Sequence, residues 1–286
     1  MGTASMKSIK LRIKSMESTK QITKAMQMVS TSKLRHAREK VLASRPYFEI
    51  LYDTISDIIA SNNTLGSEFT RPRDVRNILY VTIAGDRGLA GGYNSNLIKL
   101  ALREISDNNA DEMVIPMGRK SVEYFTKHGI PILTEIYSKV ETVSISDCFT
   151  LARGIAERYL DGEFDEVRLI WTNFTSMLSQ TPSSLKLLPL NKDVYTSGSF
   201  KNSSEVIFDP SQHDALHAIV TEYLGGMIYG AVCESRASEL ASRSNAMDSA
   251  TKNAEELIES LSLSYNRARQ SAITQEITEI VAGAEK

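Results

Sequence analysis

The sequence predicts an α/β protein with a long antiparallel coiled coil of the N- and C-terminal helices and a central open, mostly parallel α/β domain. Three observations support this prediction: two long tracts without helix breakers, opposite net charges at the two ends, and alternating strand and helix patterns in the middle. The expected segments are an N-terminal coiled-coil helix over residues 1–60, an α/β domain over 75–192, and a C-terminal coiled-coil helix over 208–286.

Both ends of the chain lack glycine and proline over long stretches. The tract from Ala231 to Ala282 covers 52 residues, and the tract from Thr3 to Arg45 is also uninterrupted. A glycine costs about 1 kcal/mol and a proline about 3 kcal/mol in a helix interior, so tracts without them favour helices. At 1.5 Å per residue, a helix over the C-terminal tract would be roughly 75–80 Å long. Each end is therefore predicted to form a long helix.

The two predicted helices carry opposite net charges. Up to Arg45, eleven Lys and Arg residues face two Glu residues, which gives +9. From Glu205 to Lys286, thirteen acidic residues face six basic ones, which gives −7. Opposite charges favour an intramolecular antiparallel pair, although an exposed ion pair contributes only about 0.2–1 kcal/mol. The alternative is that each charged face is simply solvated.

Apolar residues recur at helical spacing in both predicted helices. The first helix carries the series Ile9, Ile13, Met16, Ile22, Met26, Val29 and Leu34, and residues 257–281 carry a comparable one. Between Ala231 and Ala254 the predicted seam is mostly small residues: Ala237, Ser238, Ala241, Ser242 and Ala246. Small residues let two backbones approach closely but bury little apolar area, which is worth about 25 cal/mol per Å². Such a coil is expected to need a surrounding partner to stay straight.

The middle of the chain alternates between strand-like and helix-like patterns. Apolar, β-branched runs typical of buried strands occupy residues 77–84, 112–118 and 166–174. A further short apolar run lies at 131–137, and a helical pattern at 144–160 has Ser146 as its candidate N-cap. Alternation of this kind predicts a Rossmann-like, mostly parallel sheet with right-handed crossovers.

A glycine-rich turn, GDRGLAGGYN, follows the first predicted strand and leads into a helix. Such a turn can present backbone N–H groups to a phosphate. Its glycines, Gly85, Gly88, Gly91 and Gly92, match neither the dinucleotide-binding pattern nor the P-loop with its lysine. A tight structural turn at the sheet edge is therefore favoured over a nucleotide site.

No other arrangement in the sequence indicates catalysis, a metal or a cofactor. His213 and His217 are four residues apart, but no Glu lies between them in the zinc-protease pattern and no third ligand is evident. Cys148 and Cys233 lack metal-binding spacing, so we expect reduced thiols. No apolar run reaches the roughly 18 residues of a membrane span, and no secretory signal is recognisable. We therefore expect membrane association only through partners.

Four segments of the chain resemble the gamma subunit of F-type ATP synthases. They are MKSIKLRIKSMESTKQITKAMQMVSTSKLRHA, GDRGLAGGYN, SNAMDSATKNAEELI and YNRARQSAITQEITEIVAGA. The resemblance covers the whole chain in order. The family usually has Ser and Cys at the positions of Gly85 and Ala90, and its usual start corresponds to Met6. No cysteine-bearing insertion precedes Phe208 and no transit peptide is apparent, so we expect a bacterial form.

This resemblance implies a rotor shaft that carries no catalytic residue and no cofactor. The paired helices would thread the hexamer of alpha and beta subunits, and the α/β domain would contact the epsilon subunit and the c-subunit ring. The loop near Tyr195 to Ser204 would contribute to those foot contacts. The residues implied to contact the moving loops of the catalytic subunits are Lys24, Met26, Arg269, Gln270 and Thr274. The implied function is to couple proton or sodium-ion flow to ATP synthesis or hydrolysis, at the cytoplasmic face of the bacterial cell membrane.

Two other functions stay open on the residues alone. A nucleic-acid-binding protein could use the +9 helix as its contact surface. The acidic partner helix, a pI near 6.2 and the lack of aromatic residues in the basic helix oppose this alternative. An enzyme could place a phosphate ligand at the glycine turn, although no acid–base or metal group has a recognisable spacing.

Overall fold

The computed structural model describes residues 2–60, 68–108, 110–190 and 212–284. Its elements in chain order are α1 (Gly2–Ala60), β1 (Asn77–Ile83), α2 (Tyr93–Asp107), β2 (Asp111–Met117), α3 (Arg119–Lys127), the 3₁₀ turn η1 (Val140–Thr142), α4 (Ile145–Leu160), β3 (Glu166–Phe174), β4 (Gln180–Leu188) and α5 (Gln212–Ala284). The chain divides into two compact units, which are Met1–Ser32 with Arg243–Lys286, and Lys33–Ser242. Below they are called the first and the second unit.

The second unit contains a four-stranded sheet in the order β2-β1-β3-β4. β1 runs parallel to β2 and β3, and Leu79 lies opposite Met113 on one side and Val167 on the other. β4 runs antiparallel to β3 at the edge, where Trp171 lies opposite Ser183. The prediction of an open, mostly parallel sheet is therefore confirmed.

Both faces of β1 are covered, which explains its unbroken apolar sequence. Leu79 and Val81 join a core with residues of α4 and α5 on one face of the sheet. Ile78 and Tyr80 join a second core with residues of α2 and α3 on the other face. Because alternate residues of a strand point to opposite faces, a strand buried on both sides carries apolar residues at every position.

Both long helices extend through residues that normally break helices. α5 begins at Gln212, 19 residues before the glycine-free tract at 231–282, and it includes Gly225. A Cβ atom on Gly225 would lie 2.3 Å from Cδ1 of Phe149 in α4, so the close approach of two helices requires this glycine. α1 continues through Pro46 to Ala60. Pro46 and Gly225 therefore do not end the helices that contain them.

The N-cap of α4 is Ser144 and not Ser146, so that prediction is wrong. The Ser144 hydroxyl accepts the Asp147 N–H at 3.2 Å, and the Asp147 carboxylate accepts the Ser144 N–H at 2.8 Å. This reciprocal capping box needs an acidic residue or amide three positions after the cap. Ser144 has Asp147 at that position, whereas Ser146 has Phe149.

Three further predictions concern the apolar run at 131–137, the loop near Tyr195 to Ser204, and membrane spans. The apolar run at 131–137 forms an isolated parallel bridge between Val114 and Ile132. The loop near Tyr195 to Ser204 lies outside the described residues. None of the helices within the described ranges is both long and apolar enough to cross a membrane.

Candidate functional site in the paired terminal helices

Within the first unit, α1 and α5 meet through paired side-chain hydroxyls. Thr23 Oγ1 lies 2.8 Å from Thr251 Oγ1, and Thr31 Oγ1 lies 2.9 Å from Ser244 Oγ. Thr23, Thr251 and Ser244 are all at most 8% exposed. The Thr251 hydroxyl also lies 2.8 Å from the Met247 carbonyl oxygen of its own helix. Each hydroxyl has one proton and two acceptor positions, so these contacts satisfy the buried oxygens without any charge.

Two further pairs in the first unit include charged groups. Gln27 Nε2 donates to Asp248 Oδ1 at 2.8 Å, and Lys20 Nζ lies 3.0 Å from Glu255 Oε1. A hydrogen bond from Lys252, one turn along α5, keeps the pKa of the Asp248 carboxyl below its ordinary value, and the bond from Gln27 adds to this effect. The α1 side of the seam thus supplies donors, and the α5 side supplies carboxylates.

These four pairs define a single antiparallel register. The two residue numbers of each pair add up to 274 or 275, so each step forward along α1 is a step back along α5. The predicted antiparallel coiled coil of the terminal helices is therefore confirmed in the first unit. The buried positions of this seam are largely polar, with Thr23, Ser244 and Thr251 beside Met247 and Ala254. Ile22 and Val29 of the predicted apolar stripe are 60% and 57% exposed, so they lie outside it.

In the second unit, serines of α5 bond to the sheet. Ser238 Oγ donates to the Thr172 carbonyl at 3.1 Å, and Ser235 Oγ accepts the Thr172 N–H at 3.3 Å. Ser242 Oγ donates to the Ala90 carbonyl, in the glycine-rich turn, at 2.7 Å. The prediction that the hydroxyls of Ser238 and Ser242 belong to the seam between the terminal helices is therefore wrong. These hydroxyls satisfy backbone groups of β3 and of the turn, as buried polar atoms must be satisfied.

The alanines of the same stretch do face α1. Ala237 and Ala241 are fully buried, and they form a cluster with Leu34 and Val41 of α1. The prediction of a small-residue seam is thus confirmed for these two alanines. Along this stretch of α5, the alanines face α1, whereas the serines face β3 and the glycine-rich turn.

The glycine-rich turn after β1 is held by the chain's own carboxylate. Asp86 accepts the N–H groups of Val140 and Glu141 at 3.0 Å each, and the N–H of Arg119, the first residue of α3, at 3.3 Å. Asp86 thus ties the turn to η1 and to the N-terminus of α3, and its negative charge in the turn disfavours a phosphate there. The geometry supports the interpretation as a structural turn.

The five implied contact residues all lie in the first unit, but at two levels. Lys24, Arg269, Gln270 and Thr274 are exposed, and Met26 is half-buried. By the register above, Lys24 lies opposite residue 250 or 251 of α5, and Arg269 lies 18 or 19 residues beyond that level. At 1.5 Å per residue, this separation is roughly 27 Å along the helix. The structure therefore brings them into two groups and not into one site.

Large apolar side chains are exposed on both helices of the first unit. On α1 these side chains are at least 57% exposed: Leu11, Ile22, Met28 and Val29. On α5 they are 47–71% exposed: Ile273, Ile277, Ile280 and Val281. Contiguous exposed apolar residues usually mark a surface that another protein covers. The sequence predicts Ile22 and Val29 of the α1 group in the seam, whereas they are exposed in the structure. Helical spacing alone does not tell which face of a helix meets its partner.

An antiparallel helix pair with large exposed apolar residues on both helices indicates a coiled-coil protein that acts through contacts with other proteins. The family model described as ATP synthase matches residues 5–286. Relatives named ATP synthase gamma chain match nearly the whole chain. The chain belongs to the ATP synthase gamma chain family.

The similar proteins are bacterial relatives and mitochondrial structures. The ATP synthase gamma chain of Ruminococcus albus is 42% identical over 280 residues, covering 97% of this chain and 96% of that one. The gamma chain of Desulforamulus reducens is 42% identical over 281 residues and covers 98% of each chain. A chain of the Euglena gracilis mitochondrial ATP synthase has a TM-score of 0.67 at 19% identity, covering 99% of this chain and 94% of that one. At that identity the likeness to the solved structure shows the fold alone.

Proposed function

We propose that this chain is the central rotor shaft of an F-type ATP synthase. In this role it is a non-catalytic subunit that couples proton or sodium-ion flow through the membrane ring to ATP synthesis or hydrolysis in the alpha-beta hexamer. The family match over residues 5–286 carries the proposal, and the antiparallel pairing of α1 and α5 supports it. The relatives named above are gamma chains, so the nucleic-acid-binding alternative has no support.

We assign different partners to the different segments of the chain. The paired helices of the first unit lie within the alpha and beta subunits. The α/β domain at 75–192, with the parts of α1 and α5 that pack against it, contacts the epsilon subunit and the c-subunit ring. The chain would then sit at the cytoplasmic face of the bacterial cell membrane as a peripheral protein. It would be held there only by its partners.

The polar seam suits a shaft that transmits torque. A slip of α5 along α1 by one residue would part Thr23 from Thr251 and Gln27 from Asp248. Each hydrogen bond lost across the seam costs about 0.5–1.5 kcal/mol, and the bonds of Thr23 and Thr251 to their own helices remain. Apolar seams lack this penalty, because one aliphatic contact can replace another. The hydroxyl and amide pairs would therefore hold the register while partners push on the exposed faces.

The two groups of implied contact residues would place contacts at two heights on the shaft. Lys24 and Met26 form one group on α1, and Arg269, Gln270 and Thr274 form the other on α5. Exposed donors such as the Arg269 guanidinium can form hydrogen bonds that are made and broken as neighbours move. Deep apolar hot spots would instead hold one angular position by several kcal/mol.

Co-purification from bacterial membranes tests the proposal. Membranes are extracted with mild detergent, and the full chain is recovered by an affinity tag. We expect nucleotide-binding alpha and beta subunits, epsilon subunit and the c-ring in the recovered complex, together with ATPase activity. Recovery of the chain with nucleic acid, or alone from membranes that retain the ATP synthase, would contradict the proposal.

A further inference from the structure

The second unit contains a cavity of about 190 Å³ that none of the contacts above uses. Its walls are formed by residues 33–40 of α1, residues 141–143 at and after η1, and residues 229–240 of α5. Pockets for drug-sized ligands measure about 300–1,000 Å³. This cavity therefore suits a smaller molecule.

Most of the cavity wall is apolar. The residues that form this part are Ala37, Val143, Tyr229, Val232, Cys233 and Leu240. Val232 is 2% exposed and Cys233 is 6% exposed, so the wall is part of the folded core and not a loose surface. An alkyl or aryl group placed here would be removed from water, which is favourable in proportion to its apolar area.

The rim of the cavity carries an excess of positive charge. Lys33, Lys40 and Arg236 lie there with a single carboxylate, that of Glu141. Glu141 Oε1 lies 3.2 Å from Lys33 Nζ and 3.8 Å from Arg236 Nη2. The hydrogen bond from Lys33 is the main cause that lowers the pKa of Glu141, so its carboxyl is ionised at neutral pH.

Among the described residues, Lys40 is the rim cation that has no carboxylate beside it. In the ranges that the structure describes, no Asp or Glu oxygen lies within 4 Å of its ammonium group. Glu141 offsets one of the three permanent charges, so a surplus of two positive charges faces the opening. An anionic group at the rim would gain charge-assisted hydrogen bonds from lysine and arginine.

We propose that this cavity binds a small amphiphilic carboxylate, which is an acid group joined to a short aliphatic or aromatic tail. The tail lies against the apolar wall, and the acid group lies at the rim beside Lys40 and Arg236. An inorganic anion would leave the wall unfilled, and a neutral apolar molecule would leave the surplus charge uncompensated. Only a ligand with both parts matches both parts of the cavity.

Calorimetric titration of the full chain tests this site with three probes: octanoate, octanol and inorganic phosphate. We expect saturable binding of octanoate with a stoichiometry near one, and binding of octanol and phosphate at least about tenfold weaker. Absence of octanoate binding overturns the proposal. Equal affinity for octanol would make the cavity merely apolar, and equal affinity for phosphate would make it a simple anion site, so either result also overturns it.

Two variants locate the binding. Lys40→Gln should weaken octanoate binding about threefold to tenfold, whereas Lys127→Gln, on α3 and away from the cavity, should leave the affinity unchanged. Ala37→Phe should fill the cavity and abolish binding. If Lys40→Gln leaves the octanoate affinity unchanged, the proposal is overturned. Lys40 is exposed, so its substitution preserves the fold and tests the site even if Ala37→Phe disturbs the packing.

Discussion

Single side chains connect segments of this chain that are far apart in the sequence. Arg73, before β1, donates from Nη1 to the Tyr159 carbonyl at 2.9 Å and to the Phe164 carbonyl at 3.1 Å. Its guanidinium carbon lies 4.1 Å from the centre of the Tyr159 ring. Asp86 connects the glycine-rich turn to the N-terminus of α3 in the same manner. Such bonds depend on donor number and geometry, which helical or strand periodicity does not encode.

Replacing Arg269 and Gln270 together with Ala should slow ATP turnover by the assembled complex without preventing assembly. Both side chains are exposed on α5, so their loss leaves the helix pair intact. One lost charge-assisted hydrogen bond is worth about 1.5–3 kcal/mol, which corresponds to a loss of roughly tenfold or more. ATPase rate and subunit recovery are measured together.

The matched comparison is the double change Ile277→Ser with Ile280→Ser. These residues are 57% and 71% exposed in the chain, and a partner that covers them would lose roughly 1–3 kcal/mol per residue. Subunit recovery should fall in this variant. If the Arg269 and Gln270 changes abolish assembly, or leave the rate untouched, their assignment to coupling is wrong.

Replacing Glu141 with Gln should destabilise the chain at neutral pH and have less effect in acid. Lys33, through its hydrogen bond, is the main cause that holds the Glu141 pKa below its ordinary value of about 4.3. A carboxyl with a lowered pKa in the folded state contributes stability above its unfolded pKa, and this contribution is lost as the pH falls through the folded value. The difference between wild type and variant should therefore be present at pH 7 and shrink below about pH 4.

Urea unfolding followed by the fluorescence of Trp171, the single tryptophan, measures this difference. Glu157→Gln, at an exposed position of α4, is the control and should show little change at either pH. A gap between wild type and Glu141→Gln that stays constant from pH 7 to pH 3 would refute the role of this ion pair.

At the scale of whole elements, the two long helices divide their surfaces among several neighbours. In the first unit α5 meets α1 through Thr251 and Ser244. In the second unit it meets β3 through Ser238 and the glycine-rich turn through Ser242. β4 is the strand that the sequence analysis missed. It carries Pro182 and a run of polar residues, which an edge strand tolerates because one side of it needs no ladder.

Gly225→Ala should destabilise the second unit by about 1–3 kcal/mol, because the new Cβ would overlap the Phe149 ring at 2.3 Å. Gly154→Ala, inside α4, is the matched control. No atom lies within 4 Å of its Cβ position, so this change should stabilise the chain by about 0.4–1 kcal/mol. The urea midpoint measures both effects. Phe149→Leu should recover part of the loss in Gly225→Ala, and no recovery would exclude the clash as the cause.

Cysteines at Thr23 and Thr251 should form a cross-link within one chain under mild oxidation. Their hydroxyl oxygens lie 2.8 Å apart across the seam. The experiment uses a chain in which Cys148 and Cys233 are replaced by Ala, and gel mobility after oxidation is the measurement. Cysteines at Thr23 and Ser262 are the control, because 262 lies 11 residues, or about 16 Å, further along α5. Exclusively intermolecular cross-links would contradict the antiparallel pairing.

At the scale of the whole molecule, the described part of the chain provides contact surfaces and structural turns. Exposed large apolar residues lie on α1 and α5 of the first unit and also in the second unit, where Ile136 and Leu178 are 82% and 87% exposed. The glycine-rich turn is bonded through its Asp86 to Val140 and through its Ala90 to Ser242. This distribution fits a subunit that acts through its neighbours. It agrees with the gamma chain family across residues 5–286.

The full chain by itself should show no saturable ATP binding and no ATPase activity. The turn lacks the lysine and hydroxyl of a P-loop. The Glu239 carboxylate also lies 2.8 Å from the Cβ position of Gly85, so two acidic groups border the turn and repel a phosphate. Calorimetry with millimolar ATP and Mg²⁺ is the measurement. A stoichiometric isotherm that disappears when Gly88 or Gly91 is replaced would restore the enzyme alternative.

The sequence by itself determined the long terminal helices, their opposite charges and the alternating α/β middle. These features depend on composition and on periods of a few residues, so each of them is visible in a local stretch of the sequence. Only the tertiary structure decided that Thr23 contacts Thr251, that Ser242 donates to the Ala90 carbonyl, and that the Phe149 ring packs against Gly225. Each of these contacts joins residues that are tens to hundreds of positions apart. Hydroxyls and glycines satisfy many environments equally well, so their partners are set by which surfaces the fold brings together.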